Sequence, residues 1–187
     1  ENYFAEFDRE PLIPHMLSTE GPALAIADIN NDGLEDVYLG AAKWEKGAVY
    51  LQKPGGIFYR TAQPALDNDS TFEDVDACIT DVNNDGFPDL VVASGGNEFY
   101  GSDEHLLPRV YLNNGKGQFT RLPNAFTGLY ETFSCVVPYD FNKDGFSDFI
   151  IRDAGCNNGN GIAYIILGGS DATFKTNLDL TNLPSNR

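Results

Sequence analysis

Basic residues are scarce in this chain. Twelve Lys and Arg stand against 28 Asp and Glu, for a formal charge of −16. A surface of that sign repels a phosphate backbone, so no nucleic-acid partner is expected. Cysteine is nearly absent as well. Cys78, Cys135 and Cys156 are odd in number and show no Cys-x-x-Cys spacing, which argues against a disulfide framework and a zinc site. Cys78 and Cys135 are expected instead as small buried residues on strands. No apolar run approaches the length of a membrane span. No charged-then-apolar segment opens the chain, so any secretion signal has been removed or lies outside it. The two histidines, His15 and His105, and the lack of Gly-x-Ser-x-Gly, His-Glu-x-x-His or phosphate-loop patterns leave little for catalysis. No segment holds a 3.6-residue period, so almost no helix is expected.

What remains is globular. The chain has 187 residues with 42% hydrophobic and 12% aromatic content, enough for one domain with its own core. Within it a nine-residue pattern, Asp-x-Asn-x-Asp-Gly-x-x-Asp, occurs three times. The copies run from Asp28 to Asp36, from Asp81 to Asp89 and from Asp140 to Asp148, starting 53 and 59 residues apart. One chance match to the five defined residues arises about once in a million starts, so three in register are not chance.

Each copy sits in the same setting. Short β-branched or small apolar runs precede it: Ala23–Ala27, Ala77–Thr80 and Cys135–Tyr139. Others follow it: Asp36–Leu39, Asp89–Val92 and Asp148–Ile151. A third run comes next at Ala48–Leu51, Arg109–Leu112 and Ala163–Leu167, then a Gly- or Asn-rich turn, then a Phe at 58, 119 or 174 that opens a fourth. Four antiparallel strands in a unit of 50 to 60 residues describe a propeller blade. The expected organisation is a lead-in over 1–21 and blades over 22–62, 76–122 and 134–183. A long insertion, Asn97 to Pro108, falls inside the second blade.

The loops have calcium chemistry. Ca²⁺ takes several hard oxygen ligands near 2.4 Å. Asp28, Asn30, Asp32 and Asp36 offer side-chain oxygens in the first copy, and Leu34 offers its carbonyl. Asp81, Asn83, Asp85, Phe87 and Asp89 do the same in the second, and Asp140, Asn142, Asp144, Phe146 and Asp148 in the third. Glycine at the sixth position allows the tight turn. Without a cation, three carboxylates would repel each other in a small volume. An EF-hand loop needs an acid at position 12, where this chain has Leu39, Val92 and Ile151. Three Ca²⁺ sites are therefore expected, each stapling a blade's first strand to its second. Three ions would bring the charge to about −10.

These hairpins and their strand spacing resemble the FG-GAP/VCBS repeat family, which includes integrin α-subunit propellers and secreted bacterial proteins. Pro11–Ala25 and Val110–Phe119 are similar to the bacterial VCBS type and to cartilage acidic protein. Gly161–Gly169 and Leu178–Leu183 look more like the integrin type. The resemblance implies an all-β propeller with the same fifteen calcium-ligating residues. Closed propellers have about four to eight blades. Three repeats therefore imply an open or partial propeller, completed by further blades of the same or another chain or by homo-oligomerisation.

The loops opposite the ion hairpins are longer and more varied, and carry Trp44, Phe99, Tyr100, His105 and Tyr130. Such aromatics either pack on their own loops or form a binding surface for protein or glycan. Trp44, flanked by Lys43 and Glu45-Lys46, is expected to be exposed. His105, beside Asp103 and Glu104, is expected on a solvated loop. Asn68-Asp-Ser70 is a glycosylation sequon in a eukaryotic secretory host. The reading that follows is a non-enzymatic, calcium-stabilised adhesion or binding module outside the cell, where millimolar calcium fills even weak sites. The alternatives are part of a polysaccharide-active lyase or hydrolase and a structural spacer in a larger surface protein.

Overall fold

The computed structural model describes residues 22–96, 98–153, 162–169 and 174–179. The expected lead-in over 1–21, with His15, lies outside the described residues, as do Cys156 with most of its loop and the segment after 179. Among the described residues, the strands form three four-stranded antiparallel sheets, each a simple meander. The first contains β1 (Leu24–Ala27), β2 (Asp36–Leu39), β3 (Ala48–Lys53) and β4 (Ile57–Thr61). The second contains β5 (Asp74–Thr80), β6 (Asp89–Ser94), β7 (Arg109–Asn113) and β8 (Phe119–Leu122). The third contains β9 (Phe133–Tyr139), β10 (Asp148–Asp153), β11 (Ile162–Leu167) and β12 (Lys175–Asp179). This is the all-β, blade-by-blade architecture of a partial propeller.

The blades stack face to face, with the first strands of neighbouring blades adjoining. Side chains alternate across a strand, so one blade can feed two cores. Strand β6 does this: Leu90 and Val92 join Ile29, Tyr38, Val49, Leu51 and Tyr111 between the first two blades. Val91 and Ala93 join Val82, Val110, Phe133, Phe149, Ile151 and Ile166 between the second and third. Every residue of β6 is buried, and each fully buried Leu or Val is worth about 1.5–3 kcal/mol.

The outer faces differ. Leu24 and Ile26 on β1 are exposed. Counted from the repeated loop, they match Ala77 and Ile79, which in the second blade pack toward the first. At the other end Val137, Tyr139 and Phe141 are exposed. Val137 matches Cys78, which packs into the second core. Phe141 matches Ile29 and Val82; those two are 0% exposed, and Phe141 is 37% exposed.

Among the described residues almost no helix is present, as expected, while the expectation of buried cysteines needs correction. A short helix, α1 (Pro64–Asn68), interrupts the connection between β4 and β5. Pro64 suits its first turn and Leu66 anchors it in the first core; five residues are too few to show a period. Cys78 and Cys135 are free thiols, but half-buried rather than buried, because each lies on a face that a neighbouring blade covers only in part or leaves open.

Candidate metal centres

The three loops repeat one hydrogen-bond scheme. In the first, the Asp28 carboxylate accepts from the Asp32 N–H (2.9 Å) and the Gly33 N–H (2.7 Å). The Asn30 side-chain oxygen accepts from Asp32 N–H at 3.1 Å, and its amide donates to Asp32 Oδ2 at 3.0 Å. Asp32 Oδ1 accepts from Leu34 N–H at 2.9 Å. Asp81, Asn83 and Asp85 reproduce these contacts with Gly86 and Phe87. Asp140, Asn142 and Asp144 reproduce them with Gly145 and Phe146.

Backbone conformation explains the spacing. The glycine at position six has φ of 85°, 88° and 89° in Gly33, Gly86 and Gly145. The residue at position four is also left-handed, with φ of 60° at Asn31, 62° at Asn84 and 62° at Lys143. Asparagine tolerates that region and lysine does so less readily. The double Asn of the first two loops was a signal for this second turn element that motif reading overlooked.

The ninth residue behaves differently from the others. Asp36, Asp89 and Asp148 are each fully buried. Their Oδ2 atoms accept from the N–H of Ile29, Val82 and Phe141, at 2.9, 3.0 and 2.8 Å. Their Oδ1 atoms accept from the N–H of Gln52, Asn113 and Gly168, at the end of each third strand, at 2.7, 2.8 and 2.9 Å. Each therefore clasps the hairpin to the third strand of its blade. The first, third and fifth positions are brought together directly, while the ninth is turned onto backbone. Among the described residues, no three His, Cys, Asp or Glu side chains are gathered closely enough to hold a metal ion.

The ninth carboxylate still feels the other acids. Burial pushes Asp89 up to about 6, against hydrogen bonds from Asn113 and Val82, and the charges of Asp85 and Asp81 add to the rise. Asp36 is raised in the same way, by burial first, with a contribution from Asp32. A cation among these oxygens would relieve that repulsion, and an all-oxygen set of three carboxylates, an amide and a carbonyl suits a hard divalent ion. The Leu34, Phe87 and Phe146 side chains are half-buried.

The opposite ends of the strands carry the expected aromatic loops. Trp44 is 64% exposed with φ of 70°, and Tyr100 is 77% exposed. Lys43 bridges the two loops: it pairs with Glu98, lies 4.1 Å over the Phe99 ring and 5.5 Å over Trp44. His105 is not on a solvated loop. It sits in a 3₁₀ turn (Glu104–Leu106), contacts Asp103 Oδ1 at 2.7 Å and Thr71 Oγ1 at 3.1 Å, and stacks on Phe99 at 4.3 Å. The Asp103 carboxyl is held below the usual range by hydrogen bonds from His105.

The FG-GAP-like repeat profile matches residues 28–92 and 81–151, a span containing all three loops. Integrin alpha-8 of Gallus gallus is 29% identical over 146 residues, covering 71% of this chain and 14% of the relative. Integrin alpha-8 of Homo sapiens is 26% identical over 151 residues, covering 74% and 14%. Integrin alpha-3 of Mus musculus is 35% identical over 116 residues, covering 55% and 10%. The chain thus spans about a seventh of the length of the alpha-8 relatives it matches.

Proposed function

The chain belongs to the FG-GAP-like repeat family, and on that premise we propose that it is a calcium-stapled stretch of an extracellular adhesion propeller, non-enzymatic, that presents its loop face to a protein or glycan. Asp28, Asn30, Asp32, Asp36 and the Leu34 carbonyl hold one Ca²⁺, and the matching five residues of the other two loops hold one each. The ion's contribution is charge: it gathers carboxylates that otherwise repel, and so locks the first strand of each blade to the second and third. The observation that carries the calcium reading is the threefold repetition of one oxygen-rich loop in which Asp36 and Asp89 are raised by burial and by their own neighbours.

Further blades are proposed on both outer faces. Leu24 and Ile26 at one end, and Val137, Tyr139 and Phe141 at the other, occupy positions that the second blade uses for blade-to-blade packing. The blades come from the remainder of a longer chain or from a second copy.

The binding role is supported by Trp44 and Tyr100, which stand exposed on loops of adjacent blades. Catalysis is disfavoured because four cationic groups of that end are already engaged: Lys43 with Glu98, Lys46 with Asp67, Arg109 with Asp74, and Arg121 with Asp69. Binding of the calcium-loaded protein to immobilised matrix proteins and glycans tests the proposal. Chelation or the pair Trp44→Ala and Tyr100→Ala should abolish it. Binding indifferent to both would contradict it.

A further inference from the structure

The ion loops touch one another. Between the first two blades, Asn113 Nδ2 donates to the Ile29 carbonyl of the first loop at 2.7 Å and to the Pro88 carbonyl of the second at 2.9 Å. The backbone N–H of the same residue holds Asp89 Oδ1, a ligand of the second loop. Between the second and third blades, Ser147 Oγ donates to the Asp81 carbonyl at 3.0 Å and lies 2.9 Å from Thr80 Oγ1. Ser147 stands between Phe146 and Asp148, both ligands of the third loop.

The two links come from different places in the repeat. Gln52, Asn113 and Gly168 are equivalent, since each gives its N–H to the ninth carboxylate. Asn113 reaches the preceding blade from that position. Gly168 has no side chain, and a Cβ there would collide with the Ser147 backbone carbonyl. In the third blade the link moves to the eighth loop residue, where Ser147 replaces the second loop's Pro88, which has no side-chain donor. The same gap is bridged each time by whichever residue has room.

We propose that Asn113 and Ser147 are positioning residues that join the three loops into one chain, so that filling one loop raises the calcium affinity of its neighbour. The proposal rests on the calcium reading above. An empty loop is strained by its carboxylates, and ordering it costs conformational entropy. A neighbour already ordered by its own ion, tied through Asn113 or Ser147, lowers that cost for the next. Such coupling is reciprocal, so each loop must affect its neighbour by the same factor.

A site-resolved calcium titration tests this, following the Gly33, Gly86 and Gly145 amides by NMR, with Ca²⁺ itself as the probe. Asp85→Ala empties the second loop and should weaken the first and third by about fivefold or more, at the low end of usual couplings. Ser147→Ala should remove the effect on the third loop and leave that on the first. If Asp85→Ala does not fold, Ser147→Ala alone should weaken the second and third loops relative to the first, and no such change would overturn the coupling. Wild-type affinity at loops one and three in folded Asp85→Ala would overturn it too, with the calcium reading intact. No calcium at any loop would overturn both.

Discussion

Arg109 and Asp74 form an ion pair that is almost completely buried, at the end of the second blade away from the ion loops. Asp74 also accepts from the Tyr38 hydroxyl of the first blade at 2.8 Å, and Arg109 donates to Tyr111 and Ser94. Tyr111 in turn donates to Asp69 at 2.6 Å. Burial works against the Arg109 charge, but Asp74 beside it holds the guanidinium protonated. The two ends of the blades thus carry different chemistry: oxygen-rich acidic loops at one, a self-contained ion network at the other.

Removing one partner of that pair leaves a buried charge uncompensated. Arg109→Ala should cost about 3–5 kcal/mol in urea unfolding, with or without calcium. A loss below about 1 kcal/mol would show that the pair is not buried in solution.

Gly168 and Gly33 separate two reasons for glycine. At Gly168 a Cβ meets backbone, so Gly168→Ala should cost about 1–3 kcal/mol from overpacking. At Gly33 a Cβ meets nothing within 4 Å but φ is 85°, so Gly33→Ala should cost about 1–2 kcal/mol from conformation alone. Crystal structures of the two variants distinguish the causes: a displaced Ser147 carbonyl in the first, an unmoved neighbourhood in the second.

Lys143 occupies the left-handed position that Asn holds in the other two loops. Lys143→Asn should stabilise the third blade by about 0.5–1 kcal/mol, measured as a rise in melting temperature in chelator. Trp44 shares the left-handed strain, so Trp44→Gly should raise stability similarly while removing loop-face binding.

Cys78 should be a poor nucleophile. Burial pushes its thiol up to about 12, helped by Asp76. A group raised in the folded state contributes stability that is full below its unfolded value and is lost as pH rises through the folded one. Stability should therefore fall between about pH 9 and 12 through this thiol. Alkylation at pH 8, mapped by peptide mass, should be at least about a hundredfold slower at Cys78 than in urea.

Much of this fold was legible because its signals are local. Short β-branched and apolar runs such as Asp89–Val92, and Gly33, Gly86 and Gly145 at fixed offsets, define strands and hairpins without tertiary help. Pro64–Asn68 was not legible, since one helical turn has no period. Nor were the Arg109–Asp74 pair, whose residues meet only once β5 and β7 flank β6 in one sheet, and the Asn113 and Ser147 links, which join residues of different units whose neighbours exist only after stacking. The clasp made by Asp36, Asp89 and Asp148 was half visible: the motif marks the acid but not the backbone N–H groups that hold it.

Three calcium ions are expected to staple these blades, and thermal unfolding with and without chelator, alongside elemental analysis, is the decisive measurement of it. Three Ca²⁺ per chain should be found, with a melting temperature that falls on chelation and returns with calcium; at a hundred times Kd each site adds about 2.7 kcal/mol. No bound metal and an unchanged melting curve would contradict it.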